Sequence, residues 1–221
     1  DGLAALLMQV DKYGLYDPLT QNFSPRQPIF SHMTAIAALK SKLNLSWEAG
    51  GFCQVNLEQN SRLINLVLAM AASGPHRTIL DLFCGYGNFS LPLALLAEKV
   101  LGIDSQNAAI RSARQNVAQA GNRNCLFEKR PVPDAVRSLV AAGETFETIV
   151  LDPPRQGAPE VMSLLPKLEA QQIIYISCDP ATLARDLVTL HGAGYQVSRL
   201  IPVDMFPQTH HLESVVLLKR A

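Results

Sequence analysis

Long apolar runs are missing from this 221-residue chain. No stretch of about 18 consecutive apolar residues could form a membrane-spanning helix, and the amino terminus lacks the basic-then-apolar pattern of a secretory signal. A soluble, cytoplasmic protein with no membrane partner is expected. An opening methionine is missing too: Asp1 leads directly into the apolar segment Leu3 to Val10, so a fragment of a longer protein is expected. Cysteines are few, and Cys53, Cys84, Cys125 and Cys178 stand at spacings that match no zinc or iron-sulfur ligand set. No metal site and no disulfide framework are expected, so each thiol is either core filler or chemically active. Net charge is absent as well: nineteen basic and nineteen acidic residues cancel. That balance argues against a large nucleic-acid footprint within this segment. Repeats and low-complexity tracts do not occur.

What is present is a chain with 48% hydrophobic and 17% charged residues, enough to bury one large core. A monomer is expected. Residues 1–50 are irregular, interrupted by Pro18, Pro25 and Pro28, with one helix expected from Thr34 to Lys42; they read as the remnant of a preceding domain. Residues 51–221 read as the main domain. From Arg77 onward short apolar runs alternate with helical stretches, the pattern of a parallel sheet covered on both faces. Strands are expected at Thr78 to Phe83, Val100 to Asp104, Leu126 and Phe127, Thr148 to Asp152, and Ile173 to Ser177. Helices are expected at Leu91 to Ala97, around Ile110, Ala113, Val117 and Ala120 with Gly121 as cap, and at Ala181 to Leu190. Tyr195 to Val203 and Ser214 to Lys219 follow as two extended stretches with no helix between them. Five parallel strands closed by an antiparallel pair imply an α/β class and the Rossmann-like fold of S-adenosylmethionine-dependent methyltransferases. Such a fold has a mostly parallel seven-stranded sheet with helices on both faces.

Candidate site residues gather at the carboxyl ends of these strands, where ligands bind in open α/β sheets. Gly85 and Gly87 lie between a strand and a helix, where glycine lets the backbone pass close to a ligand. The dinucleotide pattern G-x-G-x-x-G fails at its third position, which is Ser90. Asp104 ends the second strand, placed either to accept hydrogen bonds from ribose hydroxyls or to cap the next helix. Asp152, in LDPPR, is either an aimed functional carboxylate or an ordinary strand end, with two prolines stiffening the turn after it. Cys178 ends the fifth strand ahead of a helix whose dipole favours a thiolate. An activated thiol is what methylation at carbon 5 of a pyrimidine requires, because that carbon becomes nucleophilic only after addition at carbon 6. The proton on carbon 5 must then leave by general-base catalysis, and Glu213, directly before a buried run, is a candidate base. The competing reading of Glu213 is a charge that protects an edge strand. His210 and His211 are further candidate bases.

Five ordered motifs, GFCQVN, DLFCGYGNF, LDPPR, SCDPATLARD and DMFPQTHHLES, carry a resemblance. Together they resemble the RNA (uracil-5-)-methyltransferase family, over about Gly51 to Arg220. The resemblance implies that Gln54, Phe83, Gly85, Gly87, Asn88, Asp104 and Asp152 form the S-adenosylmethionine site, with Cys178 as nucleophile and Glu213 as base. It implies RNA as partner, with the DMFPQT wording nearer the ribosomal 23S branch than the transfer-RNA branch. Any iron-sulfur cluster would belong to the missing amino-terminal part, as would an RNA-binding barrel. The chain departs from the family at Asp179, where asparagine is frequent and where a negative charge would raise the thiol pKa. It departs again at Pro131, where some members place a cofactor-binding asparagine. The alternatives are a methyltransferase acting on cytidine carbon 5 or an exocyclic amine, and a catalytically silent RNA-binding module.

Overall fold

A computed structural model of the chain describes residues 8–10, 14–17, 22–23, 29–37, 41–48, 52–205 and 212–221. Short strands β1 (Met8–Val10), β2 (Gly14–Asp17) and β3 (Asn22–Phe23) form a small antiparallel sheet. β4 (Ile29–Ile36) and β5 (Ser41–Glu48) follow as an antiparallel hairpin. The helix expected at Thr34 to Lys42 is therefore incorrect. Thr34 and Ile36 point inward while Met33 and Ala35 are exposed, a period of two that only an extended strand produces. On β5, Leu43, Leu45 and Trp47 supply the matching inward row.

The remaining elements are α1 (Leu57–Ala71), β6 (Thr78–Leu82), α2 (Ser90–Leu93), β7 (Lys99–Asp104), α3 (Asn107–Ala120), β8 (Cys125–Lys129), α4 (Val132–Ala141), β9 (Thr148–Leu151), α5 (Pro159–Met162), a 3-10 turn (Leu165–Leu168), β10 (Gln172–Ser177), α6 (Pro180–Gly192), β11 (Tyr195–Val203) and β12 (Glu213–Arg220). The main sheet has seven strands in the order β11-β12-β10-β9-β6-β7-β8. β6 to β10 pair in parallel, and β12 runs antiparallel to both β10 and β11. This is the expected architecture of the methyltransferase fold. The expected helix Leu91 to Ala97 is shorter in the structure, because α2 closes at Leu93 and continues as turn.

Side-chain alternation builds one core on each face of the sheet. On β10, Ile174 and Ile176 join the face covered by α1, α3 and the β4–β5 hairpin. Ile173 and Tyr175 join the face covered by α4, α5 and α6. Neither α1 nor α4 was expected. Yet α1 carries Leu63, Ile64, Val67 and Leu68 on its buried face, and Asn56 caps it by accepting from the Gln59 N–H at 3.1 Å. The hairpin is seated on α3 by the Arg111 guanidinium, which donates twice to Glu48 (2.8 and 2.6 Å). Beside it, the Glu48 N–H donates to Ser112 Oγ at 3.2 Å.

Candidate active site

Strand order reverses at β6, with β7 on one side and β9 on the other. Loops leaving neighbouring strands on opposite faces separate there and open a crevice beyond the strand ends. The turn after β6 lies at this crevice and is held in left-handed backbone: Phe83 has φ 62°, Gly85 φ 55° and Gly87 φ 87°. The two glycines are needed for different reasons. A side chain at Gly85 would enter open space, whereas one at Gly87 would lie 2.4 Å from Leu91 Cδ1. Gly85 thus faces open space and Gly87 faces the core.

The Asp104 carboxylate accepts from the Gly85 N–H at 3.1 Å and from the Gln106 N–H at 2.8 Å. It ties the end of β7 to the glycine turn, and each oxygen keeps a lone pair for a further donor. Asn88 is buried and exchanges reciprocal 2.9 Å hydrogen bonds with Asn60 of α1, while the Tyr86 hydroxyl donates to Asn88 Oδ1 at 3.0 Å. Gln54 is buried between the exposed Phe52 and Val55. Its segment is anchored by Asn56 Nδ2, which donates to the Met205 carbonyl at 3.2 Å, and it approaches the turn closely enough for Cys53 to raise the Tyr86 pKa beyond the effect of burial, as Asp152 does from the end of β9.

On the other side of the crevice, the β10–β12 register ends with Ser177 paired to Ser214. Continuing it by one step sets Cys178 opposite Glu213. Directly opposed residues of an antiparallel pair stand about 4.5 to 5.5 Å apart at Cα, within side-chain contact. Glu213 is 7% exposed, and its Oε2 is buried without a hydrogen-bond partner among the described residues. Burial pushes the Glu213 pKa up, against the pull of Arg155. Asp152 is pushed well above the carboxylate range by burial first, then by Glu213 and Asp81. The Cys178 thiol is half-buried and also raised: burial, Glu213 and Asp152 act against ionisation, with Arg155 and a backbone hydrogen bond acting for it. Cys178, Glu213 and Asp152 are thus one electrostatic unit, and Arg155 is its nearby cation.

Asp179 behaves differently from the expectation that its charge raises the thiol. Its carboxylate turns away to cap α6, accepting from the Ala181 and Thr182 N–H groups, each at 2.9 Å. These hydrogen bonds hold its own pKa down, and the charges that raise Cys178 are those of Glu213 and Asp152.

Arg155 and Asp81 escaped the sequence reading. Arg155 closes the LDPPR motif, so its position was visible although its role was not. Its loop is clamped to α6: the Thr182 hydroxyl donates to the Arg155 carbonyl at 3.0 Å, and Arg185 donates to the Gln156 carbonyl at 2.8 Å. Buried Asp186 accepts from the Ala158 N–H at 2.8 Å and from the Tyr175 hydroxyl at 2.7 Å. Asp81 lies beneath the glycine turn, fully buried, accepting from the Ser90 hydroxyl through one oxygen while the other has no partner among the described residues. Burial pushes its pKa up to about 7, with Asp104 adding to the rise. Only its place at the end of a strand was legible. Cys84 and Cys125 are core residues whose thiols burial raises, that of Cys125 to about 12. His210 and His211 lie outside the described residues.

Comparison with known proteins identifies the family and the fold. Residues 36–130 and 135–221 match the model of the family described as tRNA (Uracil-5-)-methyltransferase. A Klebsiella pneumoniae protein named 23S rRNA (uracil(1939)-C(5))-methyltransferase RlmD is 38% identical over 214 residues, covering 96% of this chain and 49% of that protein. The Pseudomonas putida protein of the same name is 40% identical over 178 residues, covering 80% of this chain and 39% of its own length. The chain spans about half or less of the length of these curated relatives. Among solved structures, the Pyrococcus abyssi tRNA (uracil-54, C5)-methyltransferase in complex with S-adenosyl-L-homocysteine is similar, with a TM-score of 0.71 and 30% identity. That match covers 85% of this chain and 44% of that one. The magnesium protoporphyrin IX methyltransferase of Synechocystis shares the fold, with a TM-score of 0.58 at 16% identity, over 75% of this chain and 85% of that one. With the family model matched over most of its length, the chain belongs to the tRNA (uracil-5-)-methyltransferase family.

Proposed function

We propose that this chain is the catalytic part of an S-adenosylmethionine-dependent enzyme that methylates carbon 5 of a uridine in 23S ribosomal RNA. The reading is supported by the β10–β12 register, whose last pair, Ser177 with Ser214, stands one step before Cys178 and Glu213, and by the Glu213 charge acting on the thiol. The ribosomal target is supported by the curated relatives named for 23S rRNA.

The crevice fits the cofactor. Open space at Gly85 leaves room for a ligand against the turn backbone, and Asp104 retains acceptor capacity for ribose hydroxyls. The family resemblance adds Gln54, Phe83, Asn88 and Asp152 to its surroundings, while Gly87 shapes the turn from the core side. When bound, S-adenosylmethionine supplies an electrophilic methyl group. Cys178 ionises and its thiolate adds to carbon 6 of the uracil, moving the carbon 5–carbon 6 electron pair onto carbon 5 and the 4-oxygen. Carbon 5 takes the methyl group, leaving neutral S-adenosylhomocysteine. Glu213, as carboxylate, then removes the carbon 5 proton; the freed pair restores the ring double bond and expels the Cys178 thiolate. Arg155 favours the thiolate and the ionised Glu213, while Asp152 and Glu213 oppose premature ionisation of the thiol.

The test incubates the full-length protein that contains this chain with 23S rRNA and methyl-labelled S-adenosylmethionine and resolves the nucleosides. Label in 5-methyluridine, lost in Cys178→Ala, is the expected result. Label in 5-methylcytidine or in an exocyclic amine would replace this reading, as would full activity of Cys178→Ala. Cofactor binding without any transfer would favour a silent RNA-binding module, and label confined to transfer RNA would move the target.

A further inference from the structure

Asn116 of α3 lies outside the residues assigned so far, yet its side chain is completely buried and every polar bond it makes reaches another element. Its Oδ1 accepts from the Ser46 N–H at 2.9 Å, and its Nδ2 donates to the Ser46 carbonyl at 2.8 Å. The second Nδ2 hydrogen goes to the Tyr86 carbonyl at 3.0 Å. Ser46 belongs to β5 of the hairpin, and Tyr86 lies between Gly85 and Gly87 in the turn. One amide therefore joins the backbone of the hairpin to the backbone of the turn. Asparagine is suited to this: it alone combines so short a side chain with one acceptor and two donors directed apart.

The turn needs such a tie. Three of the five residues from Phe83 to Gly87 sit in left-handed backbone, which a free chain adopts reluctantly at Phe83 and samples broadly at the glycines. The Trp47 ring adds a second link, 5.5 Å from the Tyr86 ring. Beyond Tyr86 the chain of contacts continues through its hydroxyl to Asn88 and on to Asn60.

We propose that Asn116 is a positioning residue for the cofactor, holding the Tyr86 carbonyl, and with it the glycine turn, in register with the β4–β5 hairpin. This rests on the reading of the turn as the S-adenosylmethionine site. Asn116 is completely buried and acts by keeping the turn in its binding shape.

The test measures S-adenosylmethionine affinity by calorimetry in the full chain, with cofactor KM and kcat taken on RNA. Four proteins are compared: the parent, Asn116→Ala, Asn116→Asp, and Arg111→Ala. Asn116→Asp keeps the shape and the bond from the Ser46 N–H but sets an oxygen against two carbonyls. Arg111→Ala breaks the exposed ion pair between the same hairpin and helix and leaves the turn untouched. Both Asn116 variants are expected to bind cofactor about tenfold or more weakly, as befits a lost buried hydrogen bond. Their cofactor KM should rise while kcat at saturating cofactor stays within about twofold. Arg111→Ala should keep parental affinity. Parental affinity in either Asn116 variant would overturn the assignment, as would an equal loss in Arg111→Ala or a fall in kcat without a change in KM. Should Asn116→Ala fail to fold, the shape-conserving Asn116→Asp decides by the same criteria. A parent that leaves S-adenosylmethionine unbound would instead overturn the cofactor reading, and this proposal with it.

Discussion

Replacing Asp81 with asparagine should stabilise the protein at alkaline pH and do little at acid pH. The carboxyl is fully buried; one oxygen accepts from the Ser90 hydroxyl and the other has no partner among the described residues, so the ionised form is poorly solvated. Burial raises its pKa from the ordinary 3.8 to about 7. A carboxyl whose folded pKa lies above its unfolded value favours the folded state fully below about pH 4, and that stability is lost as pH rises through about 7. At 1.36 kcal/mol per pH unit, the interval from 3.8 to about 7 amounts to about 4 kcal/mol. About 3 kcal/mol of it falls between pH 5 and pH 8. In Asp81→Asn the side-chain amide donates to Ser90 Oγ as the neutral acid would, and it carries no charge at any pH. Urea unfolding followed by circular dichroism at pH 5, 6, 7 and 8 gives the stability of both proteins. The advantage of the variant over the parent should grow by about 3 kcal/mol across this range. A gap constant to within about 0.5 kcal/mol would refute the reasoning, because it would mean that Asp81 ionises in the folded protein as easily as in the unfolded one.

Further outcomes are expected. Glu213→Gln should stop the reaction after methyl addition and accumulate a covalent RNA adduct at Cys178, visible as a denaturant-stable band shift that Cys178→Ala removes. In the protein without RNA, Glu213→Gln should also lower the pH midpoint of Cys178 alkylation by iodoacetamide, since the Glu213 charge is the first electrostatic cause, after burial, of the raised thiol pKa. Gly87→Ala should cost about 2 to 3 kcal/mol in thermal unfolding, through left-handed strain and the contact at Leu91. Gly85→Ala should cost about 1 kcal/mol yet lose cofactor affinity, because its new methyl group enters the crevice. Asp179→Ala should lower stability by about 1 kcal/mol through loss of the α6 cap and leave the thiol alkylation midpoint unchanged, whereas a lowered midpoint would restore Asp179 as a charge acting on Cys178.

The sequence made legible whatever repeats locally. The sheet was readable because its strands are apolar runs ended by glycine or proline, and the antiparallel closure because no helix separates the last two strands. Gly85, Asp104, Asp152 and Cys178 were readable as a group because each ends a parallel strand or begins the turn after it. The hairpin was misread where Ala35, Ala37 and Ala38 raise helix propensity; pairing with Leu43, Leu45 and Trp47 decides the conformation there, and that pairing is tertiary. The helix α1 had both a cap at Asn56 and a helical apolar stripe, so its signal was present and passed over. Asp81 and Asn116 act through burial and through bonds that cross between elements, and the exposed Arg155 acts through its charge on Cys178 and Glu213, none of which a local pattern displays.

The antiparallel placement of β12 makes the distance between the proposed nucleophile and the proposed base an all-or-none quantity. Pairing from Gln172 with Lys219 to Ser177 with Ser214 leaves Glu213 facing Cys178 only in this alignment. A slip of a single residue would turn the Glu213 side chain to the opposite face of the sheet. The segment between them, α6 and β11 with their connections, can therefore change in length without altering the pair, provided that β12 re-enters in phase. A one-residue deletion inside β12 would barely change the composition and would still separate the proposed nucleophile from the proposed base.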